Sequence, residues 1–190
     1  KARMYLHNGP RMVQFFKGHT ALQFIDGNGI PDFHGHTPGA SLGGRSVCAA
    51  PFDGRRLGAH IQQIKPPLKE TTLWGLGIAS GAELRHYLNA MRSWSSLAYV
   101  ARRVVAYARD LWRFGCSMRL VNGHALVGAL VASAHEAGVA LQLSSPAVAL
   151  LQSEQQARVI GAMLQTPQGP MRVHARCGVV LACGGFPHDE

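Results

Sequence analysis

Several stretches of the chain carry apolar residues at every third or fourth position, which is the spacing of a helix with one apolar face. Residues 1–25 show this pattern, and residues 125–135 show it again. The second stretch ends before Gly138, and glycine commonly follows the last turn of a helix. The pattern therefore predicts a helix at both places.

Two further helices are expected between residues 81 and 119. Ser93 and Ser95 stand before the second of them, where a serine side chain can cap the first turn. Its regularly spaced apolar residues are Leu97, Val100, Ala101, Val104, Ala108, Leu111 and Trp112. Arginines mostly occupy other positions, so the pattern predicts an amphipathic helix with a solvated basic face. A membrane-surface or partner-binding helix is the alternative.

After residue 120 the pattern changes to an alternation of strands and helices. Residues 139–143 and 146–151 alternate between apolar and polar or small positions as strands do, and residues 158–165 and 171–175 flank a Pro- and Gly-containing turn. Residues 178–183 form an uninterrupted apolar run, which is typical of a strand buried on both faces. By contrast, residues 26–70 are rich in Gly, Pro, His and Asp, which predicts a long and mostly irregular segment.

A pair of glycines follows the last predicted strand. Gly184 and Gly185 allow positive φ angles and leave room for a ligand to lie against the backbone. A nucleotide cofactor is often met in this way at the end of a buried strand. An ordinary turn is the alternative.

The composition and length indicate a globular protein with enough apolar residues for the hydrophobic core of one domain. The chain has 190 residues, of which 47% are hydrophobic and 15% charged. No run approaches the roughly 18 apolar residues that a membrane span needs, and no signal peptide is recognisable. The chain begins without Met and stops just after the glycine pair, so we expect a fragment of a larger protein. The widely spaced cysteines favour free thiols and a cytoplasmic location over a disulfide framework.

The net charge of +9 raises the question of nucleic-acid binding. The basic residues are spread along the chain, however, and no nucleic-acid motif is present. The charge can instead reflect acidic residues that lie elsewhere in the parent protein, or a positive field that helps to hold a pyrophosphate. We therefore expect no nucleic-acid partner.

Several motifs together resemble a known family. They are Pro31-Asp-Phe-His-Gly, Gly43-Gly-Arg-Ser, Asn122-Gly-His-Ala-Leu, Ser145-Pro-Ala-Val and Val179-Val-Leu-Ala-Cys-Gly-Gly-Phe186. In this order they resemble the FAD domain of the fumarate reductase and 3-ketosteroid Δ1-dehydrogenase superfamily, and the steroid dehydrogenase branch in particular. The resemblance covers nearly the whole chain.

The resemblance implies an α/β fold: a partial Rossmann-like FAD-binding domain with a β-meander, preceded by a largely helical and irregular segment. Residues 1–190 would form one incomplete domain, with the helical and loop-rich part at 1–119 and the α/β core at 120–190. The family's Gly-x-Gly-x-x-Gly turn and its cap domain are absent from this sequence. No catalytic residue is transferred, and the tyrosines (Tyr5, Tyr87, Tyr99 and Tyr107) are interpreted as packing residues.

The same resemblance implies which residues meet FAD. The backbone of Ala147 would lie at the adenine end. The loop formed by Ala182, Cys183, Gly184 and Gly185 would lie against the dinucleotide, with Cys183 either an inert thiol or a flavin-reactive one. The remaining candidates are Asn122, Gly123, Gly44 and Arg45. Arg45 could face the cofactor or substrate side, or it could form a loop-fixing salt bridge.

Signals for other chemistry are weaker in this sequence. His34 and His36 could suggest a metal, but the spacing fixes no third ligand, so no metal site is expected. The resemblance implies a flavoprotein dehydrogenase acting on a carbon–carbon bond next to a ketone, with a ketosteroid-like or other cyclic ketone substrate. A fumarate reductase-like flavoprotein and a truncated structural domain without cofactor are the alternatives. Self-association through unpaired sheet edges is expected, and no membrane span is.

Overall fold

The structure is a computed structural model, and it describes residues 2–27, 29–153 and 158–184. The chain divides into two compact units, Lys1–Ala140 and Leu141–Glu190. The mixed helix and strand fold that the sequence predicts is confirmed. The single domain with its internal boundary at residue 119 stays a prediction.

The helices of the first unit are α1 (Ala2–His19), α2 (Ala82–Leu88), α3 (Trp94–Phe114) and α4 (Asn122–Glu136). Helix α1 ends earlier than residue 25, because the Thr20 hydroxyl donates to the Phe16 carbonyl at 2.6 Å and then accepts from the backbone N–H of Leu22. Helix α4 ends as predicted: Gly138 takes a positive φ of 72° and its N–H donates to the carbonyl of His135.

Short antiparallel strand pairs join the irregular segments of this unit. The pairs are β1 (Phe24–Asp26) with β2 (Val47–Ala49), β3 (Phe52–Asp53) with β6 (Arg119–Leu120), and β4 (Thr72–Leu73) with β5 (Leu76–Gly77). A 3-10 segment, Gly54–Gln63, follows β3 and is broken at Gly58. Residues 26–70 are therefore mostly irregular, as the composition predicted.

The core of the first unit lies where α4 crosses β3 and β6. Helix α4 turns small side chains toward these strands, and its Ala125 and Ala129 are fully buried. At Gly128 an added Cβ would lie only 2.6 Å from Leu120 Cδ1. Because these residues are small, the helix approaches the strands closely enough to enclose Leu120 and Phe52.

Helix α3 is rotated about its axis relative to the expectation. The apolar positions Leu97, Val104, Leu111 and Trp112 are exposed, whereas Ser96 and Asp110 are buried. Of the arginines, Arg102, Arg109 and Arg113 are exposed as predicted. Ser93 does precede the helix, but its hydroxyl bonds to Ser95 Oγ at 2.9 Å and no side-chain cap forms.

Polar partners explain why the face of α3 that carries Asp110 points inward. Asp110 accepts hydrogen bonds from Arg55 at 3.0 Å and from the Met118 N–H at 3.2 Å. Nearby, the hydroxyl of Tyr107 donates to the Trp74 carbonyl at 2.8 Å. A buried carboxylate is stable only when it is paired, so these contacts fix the rotation of the helix about its axis.

A buried ion pair joins α2 to β6. Arg119 donates two hydrogen bonds to the Glu83 carboxylate, at 3.0 and 2.6 Å, and only 7% of the Glu83 side chain is exposed. The short strand β6 therefore lies between two carboxylates, Glu83 on α2 and Asp110 on α3, since Met118, which bonds to Asp110, directly precedes it.

The second unit is a three-stranded antiparallel meander. Its strands are β7 (Ala147–Gln152), β8 (Val159–Thr166) and β9 (Gly169–His174), in the order β7-β8-β9. The strand near 146–151 and the hairpin that follows it are therefore confirmed.

Two other predicted strands are wrong. Residues 139–143 and 178–183 are irregular, and both are largely exposed. The run at 178–183 has the composition of a strand that needs neighbours on both sides. No strand pair among the described residues includes it. Composition alone therefore did not make it a strand in this chain.

Candidate functional site

The start of α4 holds two of the predicted cofactor residues, Asn122 and Gly123. Asn122 adopts a positive φ of 54°, which Asn tolerates better than most residues. Its Oδ1 accepts from the N–H and the hydroxyl of Ser80, both at 3.1 Å, and its Nδ2 donates to the Ile78 carbonyl at 2.8 Å. The Asn122 side chain therefore fastens the loop at 78–80 to the first turn of α4.

A cavity of about 230 Å³ opens beside this junction. Thr71, Ile78, Ser80 and Asn122 are among the residues that line it. Gly123 follows at the exposed start of the helix, and an added Cβ there would meet no atom within 4 Å. The first turn of α4 thus offers backbone N–H groups and open space, the combination with which helix N-termini receive phosphate groups.

His124 lies in the same turn, and its partial burial predicts that the fold loses stability in acid. Burial lowers the pKa of His124 below its ordinary value of 6.5, because the charged imidazolium loses its water. Below about pH 6.5 the unfolded chain takes up this proton before the folded chain does, so stability should be complete above that pH and fall beneath it. We expect His124→Gln to flatten the decline of the urea midpoint between about pH 7 and about pH 5.

The exposed His7 on α1 supplies the matched control, His7→Gln. If both substitutions changed the slope equally, the acid sensitivity would not arise from burial of His124.

Gly44 and Arg45 lie in an exposed loop of the same unit. Gly44 has a positive φ of 82°. Arg45 forms a salt bridge with Asp32 at 3.0 Å and donates to the Gly39 carbonyl at 2.7 Å. Of the two alternatives for Arg45, the structure contains the loop-fixing salt bridge. Its partners differ from those of Asn122, so the two side chains belong to separate hydrogen-bond networks.

The remaining described candidates lie in the second unit. Ala147 is the first residue of β7 and is exposed. Ala182, Cys183 and Gly184 are exposed in an irregular segment. Gly185 lies outside the described residues.

Gly184 has a backbone conformation that glycine tolerates best. Its φ is +89°, and a Cβ built there would meet no atom of the described residues within 4 Å. Open space at an exposed glycine with positive φ leaves the backbone accessible to a ligand. With the small side chains at 182 and 183 before it, this segment fits a role against FAD.

The tyrosines and cysteines described below show no arrangement that points to catalysis. Tyr107 is held by Trp74 and Tyr99 stacks on His86 with ring centroids 4.5 Å apart. Burial and then the charge of Glu83 raise the pKa of Tyr87. The cysteines at 48, 116, 177 and 183 are free thiols. Among residues 2–27, 29–153 and 158–184, no three potential ligands lie together as a metal site.

Sequence reasoning missed the partners that shape this site. Ser80 and Ile78 hold Asn122, yet they stand more than forty positions before it. The Asn-Gly dipeptide was the available signal, because Asn tolerates a positive φ and such pairs mark turns. It identified the position but not the loop that the side chain fastens.

Comparisons with known proteins show which family this chain resembles. The whole chain, residues 1–190, matches the family model described as FAD binding domain. It is 32% identical to the 4-oxocyclohex-2-ene-1-carboxylate 5-dehydrogenase of Sinomonas cyclohexanicum, over 96% of this chain and 30% of that protein. It is 30% identical to the 3-oxosteroid 1-dehydrogenase of Mycobacterium tuberculosis, over 98% of this chain and 33% of that protein.

A solved structure shows the same fold. The 3-ketosteroid Δ1-dehydrogenase of Sterolibacterium denitrificans, in complex with 1,4-androstadiene-3,17-dione, superposes with a TM-score of 0.79 at 29% identity. The match covers 96% of this chain and 33% of that chain. This chain therefore spans about a third of the length of the relatives it matches.

The resemblance to the ketosteroid dehydrogenase branch is thus confirmed by comparison of the sequence and of the structure. No helix in the described part of the chain is long and apolar enough to cross a membrane. The chain belongs to the FAD-binding domain family of flavoproteins, as part of the FAD domain of a ketosteroid dehydrogenase-like member.

Proposed function

We propose that this chain supplies FAD-contacting backbone to a dehydrogenase that removes hydrogen across a carbon–carbon bond next to a ring ketone. The observation that carries the proposal is the agreement between the relatives. One is named for an oxocyclohexene carboxylate and the others for oxosteroids, and each is a dehydrogenase. A cyclic ketone is the feature common to these names.

Within this function, the described residues have binding and positioning roles. The backbone at Gly184 would lie against the dinucleotide. Within the first unit, Asn122 holds the loop at 78–80 against the open start of α4. FAD, when bound, supplies the acceptor for the electrons and hydrogen that leave the substrate. The catalytic groups are not assigned to this chain.

The first test is whether the chain retains FAD. After incubation with FAD and desalting, we expect the protein to keep the visible absorption band of the flavin. We expect Gly184→Val to lose most of this band, because a branched side chain is strained at positive φ and would fill the space left for the cofactor. Circular dichroism of both proteins checks that the fold is unchanged.

Gly178→Val is the matched control. Gly178 lies in the same exposed segment, also has a positive φ (152°), and also has no atom within 4 Å of an added Cβ, but it is not a predicted contact. Equal loss of flavin in both variants would assign the effect to backbone strain. A colourless wild-type protein would favour the alternative of a structural domain without cofactor.

The substrate class can be tested on the same preparation. A 3-oxosteroid should perturb the spectrum of the bound flavin, whereas fumarate should not. The reverse result would favour the fumarate reductase-like alternative.

Self-association remains a prediction as well. Strands β7 and β9 are the outer strands of their sheet, and exposed strand edges favour pairing between chains. Sedimentation velocity would test this prediction.

A further inference from the structure

Two histidine rings stack where the 3-10 segment Gly54–Gln63 meets the end of α4. The ring centroids of His60 and His135 lie 3.7 Å apart, and the ring planes differ by 23°. The Nε2 of His135 also forms a hydrogen bond with Oε1 of Gln63 at 3.3 Å. Both contacts join the last part of the segment to the last turn of α4. The stack therefore holds the end of the segment on the helix.

This pair differs from the other stacked histidines of the described chain, because both of its rings can take up a proton. His19 stacks on Phe15 with ring centroids 4.7 Å apart, and His86 stacks on Tyr99 at 4.5 Å. A charged imidazole is attracted to the face of a neutral aromatic ring, so one proton leaves such a stack intact. A stack of two histidines can take up a second proton, which places like charges 3.7 Å apart, and these charges repel.

Among the described residues, no carboxylate pairs with either ring of the stack. Glu136 directly follows His135, but it pairs with Arg56 at 3.5 Å. The ion pairs in the described part of the chain include neither ring. The 3-10 segment, β2, β3, β6 and the end of α1 pack around α4, and their other charged or titratable groups are Lys17, His19, Cys48, Asp53, Arg55 and Arg119. The single carboxylate in that set is bonded to Arg55, so the surroundings of the stack are mainly basic.

A hinge precedes the stacked ring in the 3-10 segment. Gly58 has a φ of 53° and a ψ of −129°, which interrupts the helical conformation there. Leu57 before it is buried in the core, whereas His60 after it is exposed. Glycine adopts a positive φ at little cost, so the chain can bend at this position without moving Leu57. Ile61 packs against the core and favours the closed position.

From these observations we propose that the stack of His60 and His135 is an acid-sensitive clasp. It holds the last part of the 3-10 segment on α4 at neutral pH, and it opens about Gly58 when both rings are protonated. Histidine changes its charge near physiological pH, so mild acid is sufficient. The pair of Arg56 with Glu136 lies before the hinge and keeps the first part of the segment on the helix. Both rings belong to this chain, so the proposal needs no partner and does not rest on the proposed enzymatic function.

Nuclear Overhauser effects between the ring protons of His60 and His135 measure the clasp directly. Between about pH 8 and about pH 5, where histidine changes from neutral to charged, we expect the ratio of stacked to separated rings to fall by roughly fivefold or more. The two other stacks, which contain one histidine each, are internal controls. Their ring contacts should remain at both pH values, which also shows that the unit stays folded.

Two substitutions keep an aromatic ring in the clasp and remove one site of protonation. In His60→Phe and in His135→Phe, we expect the ring contact to survive at about pH 5, since only one ring can then be charged. His19→Phe is the matched control, because it removes a stacked histidine and leaves the clasp unchanged. In this control the contact between His60 and His135 should still be lost in acid.

Three results would overturn the proposal: a contact between His60 and His135 that persists in acid, an equal loss of this contact in the Phe variants of the clasp, or simultaneous loss of all three stacks. The last result would assign the effect of acid to unfolding of the whole unit. Loss of the contact in the wild type and in His19→Phe, with the other stacks intact and both clasp variants resistant, would support the proposal.

Discussion

Glu83→Gln is expected to lower the free energy of unfolding of the first unit by about 3 kcal/mol. Glu83 is buried and accepts both hydrogen bonds of the Arg119 guanidinium. The amide keeps the shape of the side chain but removes the negative charge, and it offers one acceptor where the carboxylate offered two. A largely enclosed guanidinium would then lack its counter-charge, which costs more than the pair itself contributes. The midpoint of urea unfolding measures the change.

Glu136→Gln is the matched control for this prediction. Glu136 pairs with Arg56 at 3.5 Å, and both side chains are more than half exposed. Exposed pairs contribute little, because water and salt screen them, so the change should be below about 1 kcal/mol. If the two substitutions cost the same, the pair between α2 and β6 is accessible to water and does not anchor the strand.

Helix α3 shows where the sequence predicts structure well and where it does not. The apolar spacing correctly predicted a helix beginning after Ser93, because that spacing reports the backbone period. It predicted the wrong inward face, since rotation about the helix axis depends on distant partners. Arg55 and Met118, which bind Asp110, are separated from it by 55 and 8 positions. No local pattern contains this information.

The candidate site also combines features that the sequence predicts with features that it does not. Gly184 was predicted to allow a positive φ and has one, whereas Asn122 was predicted only as a cofactor candidate and its positive φ was not foreseen. Residue type indicates where such conformations are tolerated, because few residues adopt them. The side-chain bonds of Asn122 to Ser80 and Ile78 could not be predicted, since they depend on how a distant loop packs.

The apolar run at 178–183 illustrates a different limit. Composition predicted a buried strand, but a strand forms only when neighbouring strands supply hydrogen bonds. In the meander, β8 has such neighbours on both sides and its strand was predicted correctly. Residues 178–183 have none among the described strands. The local sequence pattern therefore shows that a segment could be a strand. Whether the strand forms depends on neighbouring strands that can bond to it.

Gly161→Ala is expected to disrupt the pairing of β8 with β9 and to destabilise the second unit by about 3 kcal/mol or more. An added Cβ at Gly161 would overlap the carbonyl oxygen of Val173 and lie 3.1 Å from the Cα of His174. Both contacts are with backbone, so no side-chain rotation can relieve them. Because β8 is the central strand, its displacement also disturbs the pairing with β7.

Hydrogen exchange of the β8 and β9 amides measures this effect directly, and protection should fall in both strands. Gly18→Ala is the control: Gly18 lies in α1, and an added Cβ there would meet no atom within 4 Å. Alanine is the better helix former by up to about 1 kcal/mol, so this variant should be neutral or slightly stabilised. Undiminished protection in Gly161→Ala would contradict the close approach of β9 to β8, and with it the register that pairs Gly161 with His174.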